Sequence, residues 1–435
     1  MHSQMQTQGQ VSQHSQSAEA SYAPLYPIEK IRAEFPGLRD DYAFFDNAGG
    51  SQVLKRVADR VHEYLLSTSV QLGASYEVSR VATERVLAAR RSIASLINAA
   101  HDEEVVMGGS STGLVYLLVQ ALRPSLQAGD EIIITNIDHE ANVGAWRRLL
   151  GLGVVVKVWC VDPATFTLPL EQLDKLLSPR TKWLAMSQTS NVLGMVNPVA
   201  EAAARVHAVG GRVCVDSVAY APHRLVDVQA CGADVVFFSF YKVFGPHYAV
   251  MWGKRDFLLA LPNLNHGFIP VDDLPYKLQP GNVNFELSYG CVGIVEYLES
   301  MGNAMGGAGT QRELMQFAFD EFARYEDYLG EILLQYLRSE PRVRIIGADT
   351  MSNGLRVPTI CFVVEGMQSE AIVLQMDQHQ IGIRFGDFYA KKLIADLQLL
   401  PYGGVVRVSM AHYNTVKEVE RLVAVLRTII SPSAA

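Results

Sequence analysis

The sequence predicts an α/β fold: a mainly parallel sheet of seven strands with helices on both faces, followed by a smaller α+β domain. Three observations lead there. Between about residues 100 and 255, seven short apolar runs alternate with helical patterns, the rhythm of parallel strands joined by crossover helices. The chain has 435 residues, too many for one ordinary domain and enough to bury a large core. From about residue 330 the rhythm gives way to one long helical pattern, two strand-like runs and a closing amphipathic helix.

Residues 1–24 are rich in Gln and Ser, carry no Lys or Arg and offer no apolar core for a signal peptide, so a disordered tail is expected. Residues 25–100 carry helical patterns expected to span both domains. Residues 101–320 are the expected large domain, with strands at 104–107, 131–135, 154–160, 183–187, 212–216, 235–239 and 249–252. Residues 321–435 are the expected small domain, with a helix at 325–339 and strands at 358–364 and 405–409. There is no internal repeat. Ligands of such sheets bind beyond the carboxyl ends of the strands, and the polar residues of the large domain gather there.

Composition excludes several classes of function. Apolar residues make up 49% of the chain and charged residues 19%, and the formal charge is −8 with no basic stripe, which argues against nucleic acid as a partner. No apolar segment is long enough to cross a bilayer, so a soluble protein without a membrane partner is expected. The five cysteines, Cys160, Cys214, Cys231, Cys291 and Cys361, are odd in number and far apart, which fits reduced thiols in a cytoplasmic protein. The eleven histidines are scattered, without a His-x-x-x-His pair, and no two cysteines have ligand spacing, so no metal site is expected.

Lys242 closes the apolar run 235–239 and stands before Gly245-Pro246, where a buried strand meets a tight turn. Asp216 ends the run 212–215. A reactive amine and a carboxylate at neighbouring strand ends match the needs of pyridoxal 5'-phosphate: a Schiff-base partner and an anion that keeps the pyridine nitrogen protonated. An ordinary loop lysine and a helix-capping aspartate are the plain alternatives. Gly108-Gly109-Ser110-Ser111-Thr112-Gly113 follows a strand and opens a helical pattern, directing free N–H groups and hydroxyls at one spot suited to a phosphate, although a simple helix cap would use the same residues. Ser239, three residues before Lys242, is placed to add a hydroxyl. His139 stands past a strand end, where it could stack on a flat cofactor or cap the helix that follows. Asn191 follows another strand and could donate to a ring hydroxyl or a carboxylate, or merely form a turn. Arg407 interrupts an apolar strand and must meet solvent, a local acid or a substrate carboxylate; Arg384 is a weaker candidate of the same kind.

These residues in this order resemble the class V aminotransferase family, most closely its cysteine-desulfurase-like branch, over nearly the whole chain from about residue 27. The resemblance rests on Asp216-Ser217-Val218-Ala219-Tyr220-Ala221-Pro222-His223, Gly232-Ala233-Asp234 and Ser239-Phe240-Tyr241-Lys242, and on two later blocks at 381–386 and 406–415. It implies the fold type I architecture of enzymes that depend on pyridoxal 5'-phosphate. By this resemblance Lys242 carries the cofactor, Asp216 pairs with the pyridine nitrogen and His139 stacks on the ring. Ser111 and Ser239 hold the phosphate, Ser110 and Tyr241 are further cofactor-binding residues, Asn191 serves the substrate side of the ring, and Arg407 takes the substrate α-carboxylate. It also implies a homodimer with shared active sites, in which Asn282 crosses to the partner's phosphate.

Three departures matter. The loop that carries a persulfide-forming cysteine in such desulfurases has Tyr389 here, a glutamine three residues after the aspartate is replaced by Ala219, and the histidine before the lysine is replaced by Tyr241. The expectation is therefore an enzyme that uses Lys242 as base on an amino acid with a β-leaving group. A carbon–sulfur or carbon–selenium lyase acting by β-elimination fits best. Desulfuration with an external thiol, transamination and epimerisation share the early steps, and a non-catalytic scaffold or regulator is the rival of a different class.

Overall fold

The computed structural model describes residues 26–431, so the expected N-terminal tail lies outside the described residues. The chain enters through α1 (Ile28–Arg32), the short strand β1 (Ala43–Phe44), α2 (Lys55–Ser67) and α3 (Glu77–Ile97). There follow β2 (Val105–Gly108), α4 (Ser111–Leu122), β3 (Glu131–Thr135), α5 (Glu140–Arg147), β4 (Val155–Trp159), α6 (Leu170–Leu176), β5 (Thr181–Ser187), α7 (Val199–Ala208), β6 (Arg212–Asp216), β7 (Val235–Ser239) and β8 (Ala249–Gly253). These seven strands form one sheet in the order β2-β8-β7-β6-β5-β3-β4, in which only β8 runs against its neighbours.

Alternation along the strands divides the core between the two faces of the sheet. Met107, Ile133, Leu184, Val215, Val236 and Phe238 pack on one face, while Val106, Ile132, Ala185, Cys214, Val235 and Phe237 pack on the other. Because helices cover both faces, the central strands are apolar throughout, as parallel strands must be. The first face is covered by α3, through Val86 and Ile93, and by α7, through Ala202 and Val206. The second is covered by α4, through Val115 and Leu118, and by α5, through Trp146. All the loops that leave β2, β3, β5, β6 and β7 therefore open at one edge, and the polar residues lie there.

The remaining elements are α8 (Arg255–Ala260), α9 (Phe285–Ala304), α10 (Gln311–Ser339), β9 (Val343–Ile346), β10 (Thr359–Val364), α11 (Ser369–Asp377), β11 (Ile381–Gly382), β12 (Arg384–Gly386), α12 (Lys391–Asp396), β13 (Val405–Ser409) and α13 (Val416–Ile430). A second, antiparallel sheet has the order β12-β13-β10-β9. The long helix α10 begins 14 residues before the expected 325, because Thr310 and Glu313 form a capping box that sets its N-terminus. Residue 320 thus lies inside a continuous helix, and a domain boundary drawn there would cut it. Strands β1, β9, β11 and β12 were not expected; with two to four residues each, they are too short to show alternation. β1 pairs with β11, which ties the N-terminal segment to the C-terminal part of the chain.

Among the described residues, no helix is long and apolar enough to cross a membrane, and no cluster of His, Cys, Asp and Glu forms a metal site.

Candidate active site

Lys242 sits in the helical turn that follows β7 and is 6% exposed. The turn is held from a distance: Ser51 donates to the Tyr241 carbonyl through its N–H at 3.0 Å and its hydroxyl at 3.2 Å, and its Oγ accepts from Phe244 N at 2.9 Å. Burial, and then the nearby Arg407 guanidinium, push the Lys242 amine below its ordinary pKa, against the opposing pull of Asp216 and Asp46. Asp216 ends β6 and accepts from Val218 N at 2.8 Å. Burial raises its carboxyl well above the usual range, and Asp138 adds like charge, while the Val218 N–H and Lys242 oppose the shift.

His139 is the N-cap of α5, where its Nδ1 accepts from Ala141 N at 3.0 Å. That bond leaves the proton of the neutral ring on Nε2. Burial, then Lys242 and Arg407, lower the pKa of His139 to about 4, so near neutral pH the ring is an uncharged flat face. Capping and stacking are compatible here, because the cap uses an edge of the ring. Beneath it, Asp138 accepts from Ser187 Oγ and from Thr135 Oγ1 at 2.5 Å, and Asn142 links on to Trp146 Nε1 at 3.2 Å. This buried network braces the loop between β3 and α5.

At the end of β2, Ser110 caps α4 by accepting from Gly113 N at 3.0 Å, which leaves its own proton free to donate. Ser111 Oγ lies 2.7 Å from Ser239 Oγ, both buried. Gly108 lets the helix approach the strand, since a Cβ there would come within 2.8 Å of Leu114. The first N–H groups of α4 have no partner within the helix. Together these groups form a cradle for a dianion at a helix N-terminus. Ser110, Ser111, His139, Asn191, Asp216, Ser239, Tyr241 and Lys242 all line one pocket.

A second pocket adjoins it and shares His139, Asn191, Tyr241 and Lys242. Its far wall holds Arg407, in mid-strand on β13 and 2% exposed. Arg407 Nη2 donates to Asp46 Oδ1 at 3.1 Å and Nη1 to the Asn191 carbonyl at 3.3 Å, and the guanidinium lies 3.7 Å from the Phe388 ring centre. Arg384 Nη1 stands 3.5 Å from Asp46 Oδ2, so both arginines share one carboxylate. Asn191 Nδ2 donates to the Phe388 carbonyl at 2.9 Å. Tyr389 is largely exposed, its ring is centred 5.0 Å from that of His139, and its carbonyl accepts from Glu140 N at 2.9 Å. Tyr241 stacks on His247 with ring centres 5.0 Å apart.

The structure does not bring Asn282 to this site: it lines neither pocket, and its Nδ2 lies 3.4 Å from Gln71 Oε1 on an exposed segment. His223, the last residue of the motif that begins at Asp216, lines neither pocket; its Nδ1 lies 3.1 Å from the buried Glu326. None of the five cysteines lines either pocket; Cys361 lies on β10 opposite Arg407 and is buried behind it. Asp46, Ser51 and Asp138 were not singled out from the sequence. The signal for Asp46 is a polar break, Asp46-Asn47-Ala48-Gly49-Gly50, directly after the apolar Ala43-Phe44-Phe45.

A buried amine, a buried carboxylate, a neutral imidazole face and a hydroxyl-lined helix N-terminus fit pyridoxal 5'-phosphate group by group. Comparison with known proteins agrees. The family model Aminotransferase class-V matches residues 43–422. The aminotransferase-like protein FGM3 of Gibberella zeae is 38% identical over 415 residues, covering 93% of this chain and 99% of the relative. The cysteine desulfurase-like protein ustD of Aspergillus flavus is 32% identical over 425 residues, covering 95% and 93%. The crystal structure of the cysteine desulfurase CsdA of Escherichia coli superposes with a TM-score of 0.78 at 27% identity, covering 92% of this chain and 98% of that one. With this fold, this site and these relatives, the chain belongs to the class V aminotransferase family, as a cysteine-desulfurase-like, fold type I enzyme that depends on pyridoxal 5'-phosphate.

Proposed function

We propose that the protein is a carbon–sulfur or carbon–selenium lyase, which eliminates the β-substituent of a cysteine-derived amino acid and releases pyruvate and ammonia. The observation that carries this reading is the wall around Lys242: it offers Tyr389 and Phe388 and no thiol to accept sulfur. Lys242 would hold the cofactor, with Asp216 at the pyridine nitrogen and His139 on the ring. Ser110, Ser111, Ser239 and the α4 N-terminus would take the phosphate, with Tyr241 and Asn191 beside the ring. When bound, the cofactor supplies an electron sink for charge developing on the substrate α-carbon. Arg407 holds the α-carboxylate and fixes the face of the amino acid presented to Lys242. The lowered pKa of Lys242 makes a neutral amine available near neutral pH to take the α-proton and later to return one. His139, neutral and capped, adds no cation to compete with Asp216.

A second reading is desulfuration with an external thiol, favoured by the exposure of Tyr389 at the mouth, where a soluble acceptor can approach. Incubating the protein with L-cysteine and pyridoxal 5'-phosphate separates the two: pyruvate supports elimination and alanine supports desulfuration. The assembly we infer is a homodimer, supported by exposed apolar side chains at Leu66, Tyr76, Phe268 and Val271, with Asn282 reaching the partner's phosphate site. Five cysteines without a disulfide support a cytoplasmic location.

A further inference from the structure

Arg407 and Arg384, both lining the second pocket, share the carboxylate of Asp46 behind its wall. Asp46 Oδ1 accepts from Arg407 Nη2 at 3.1 Å, and Oδ2 stands 3.5 Å from Arg384 Nη1. The backbone around Asp46 fixes its position: Ser409 N donates to Phe45 O at 2.7 Å, and Ala48 N donates to Ser409 Oγ at 2.8 Å. Gly49 is required beside it, since a Cβ there would come within 2.7 Å of Asp46 Oδ2 and push the carboxylate away. Arg407 does not depend on Asp46 alone, being held also by Asn191 and by the face of Phe388. Its Nε is buried and has no hydrogen-bond partner. Arg384 is different: its side chain is 59% exposed and can follow Asp46.

We propose that Asp46 is a specificity-determining residue: it competes with incoming carboxylates for Arg407, so that only a carboxylate tethered to a second point of attachment, as in an amino acid, displaces it. The proposal rests on Arg407 being the α-carboxylate site. Asp46 is part of the chain and confronts Arg407 at a high effective concentration, which a free carboxylic acid in solution does not match. An amino acid held at its nitrogen presents its carboxylate as an intramolecular group too, and so competes on equal terms. The incoming carboxylate takes the place of Asp46 at Nη2, and Asp46 retires onto Arg384.

The test is titration calorimetry on cofactor-loaded protein with three probes: propionate, L-alanine and ethylamine. In Asp46→Asn, propionate should bind about tenfold more tightly, since no charge-assisted bond to a guanidinium has to be broken. Ethylamine, which has no carboxylate, should bind as it does to the wild type; a merely structural role for Asp46 would move all three probes together. Arg384→Gln gives the opposite sign, because Asp46 is left wholly to Arg407 and propionate should weaken severalfold; this holds even if the Asp46 variant does not fold. Unchanged or weaker propionate binding in Asp46→Asn, or unchanged or tighter binding in Arg384→Gln, overturns the proposal. Arg407→Gln should lose L-alanine binding. Retention of that binding overturns the assignment of Arg407 itself, independently of what Asp46 does.

Discussion

The two pockets that meet at Lys242 are built in different ways. The cofactor side is made from the ends of five strands of one sheet, each contributing a residue within a few positions of the strand's last hydrogen bond: Ser111 after β2, His139 after β3, Asn191 after β5, Asp216 on β6 and Lys242 after β7. Its polar groups are mostly held by neighbouring backbone, as Asp216 is by Val218 N and His139 by Ala141 N, and Ser111 is bonded to Ser239. The substrate side is assembled from segments at opposite ends of the chain, with Asp46 and Arg407 separated by 361 positions. Its two arginines, Arg407 and Arg384, are both paired with Asp46. The first side is rigid and preorganised by the sheet, while the second is an arrangement of exchangeable ion pairs. A fixed cofactor and a transient substrate call for these two kinds of construction.

The largest effect is expected at Lys242, one of the four residues that line both pockets. Lys242→Ala should lower turnover about ten-thousandfold, the upper end of what a positioned base contributes, with the fold intact by circular dichroism. Retained turnover would mean that the buried lysine is structural. On the substrate side, Arg407→Gln should lower kcat/KM about a hundredfold, roughly 3 kcal/mol, with most of the change in KM. A variant that loses kcat at unchanged KM would place Arg407 in the chemistry rather than in binding.

The two sides were not equally legible in the sequence, for the same physical reason. Strand, turn and helix are local, so the residue after an apolar run announces its place at a sheet edge, and His139, Asp216 and Lys242 follow from position alone. Pairing between distant segments leaves no local trace. Asp46 looks like a turn residue until β1 pairs with β11 and Ser409 meets the Asp46 segment. Asp138 looks like a neighbour of His139 until Ser187, 49 positions on, donates to it. Strands of two or three residues, such as β11 and β12, carry no period to detect.

Cofactor-side burial also has a pH signature. His139 has a folded pKa of about 4 against an ordinary 6.5, so between these values the unfolded chain binds the extra proton and stability rises with pH. Its contribution is complete above 6.5 and is lost as pH falls toward 4. From pH 7 to pH 5 the loss is about 2 kcal/mol. Asp216, raised to about 7, gives the opposite slope over much of this window, so the His139 part is read as the difference between wild type and His139→Asn in urea unfolding of the cofactor-free protein; no difference between the two would assign the acid sensitivity to other groups. Ser51→Ala should cost about 1–2 kcal/mol by releasing the turn that carries Lys242. The same variant should depress kcat more than KM, because it loosens the amine and not the carboxylate site.

The smallest effect is expected where a nucleophile is offered to the substrate side, on the loop of Phe388 and Tyr389. Phe388 and Tyr389 both have left-handed backbone, with φ of +50° and +60°, and their carbonyls are tied to Asn191 Nδ2 and to Glu140 N. Accepting sulfur from a substrate and passing it to solvent needs a loop that can carry a thiol between two positions. This loop is pinned at both carbonyls and stacked under Arg407, so a thiol placed on it stays beside His139. Tyr389→Cys should therefore change the product ratio from L-cysteine by less than about twofold, with pyruvate still dominant, and the left-handed backbone should cost cysteine about what it costs tyrosine. If alanine became the main product, the identity of residue 389 would decide the outcome and the rigidity of the loop would not. Persistence of pyruvate would locate the reaction's choice in the backbone of the loop, on the side of the site that the strand ends do not build.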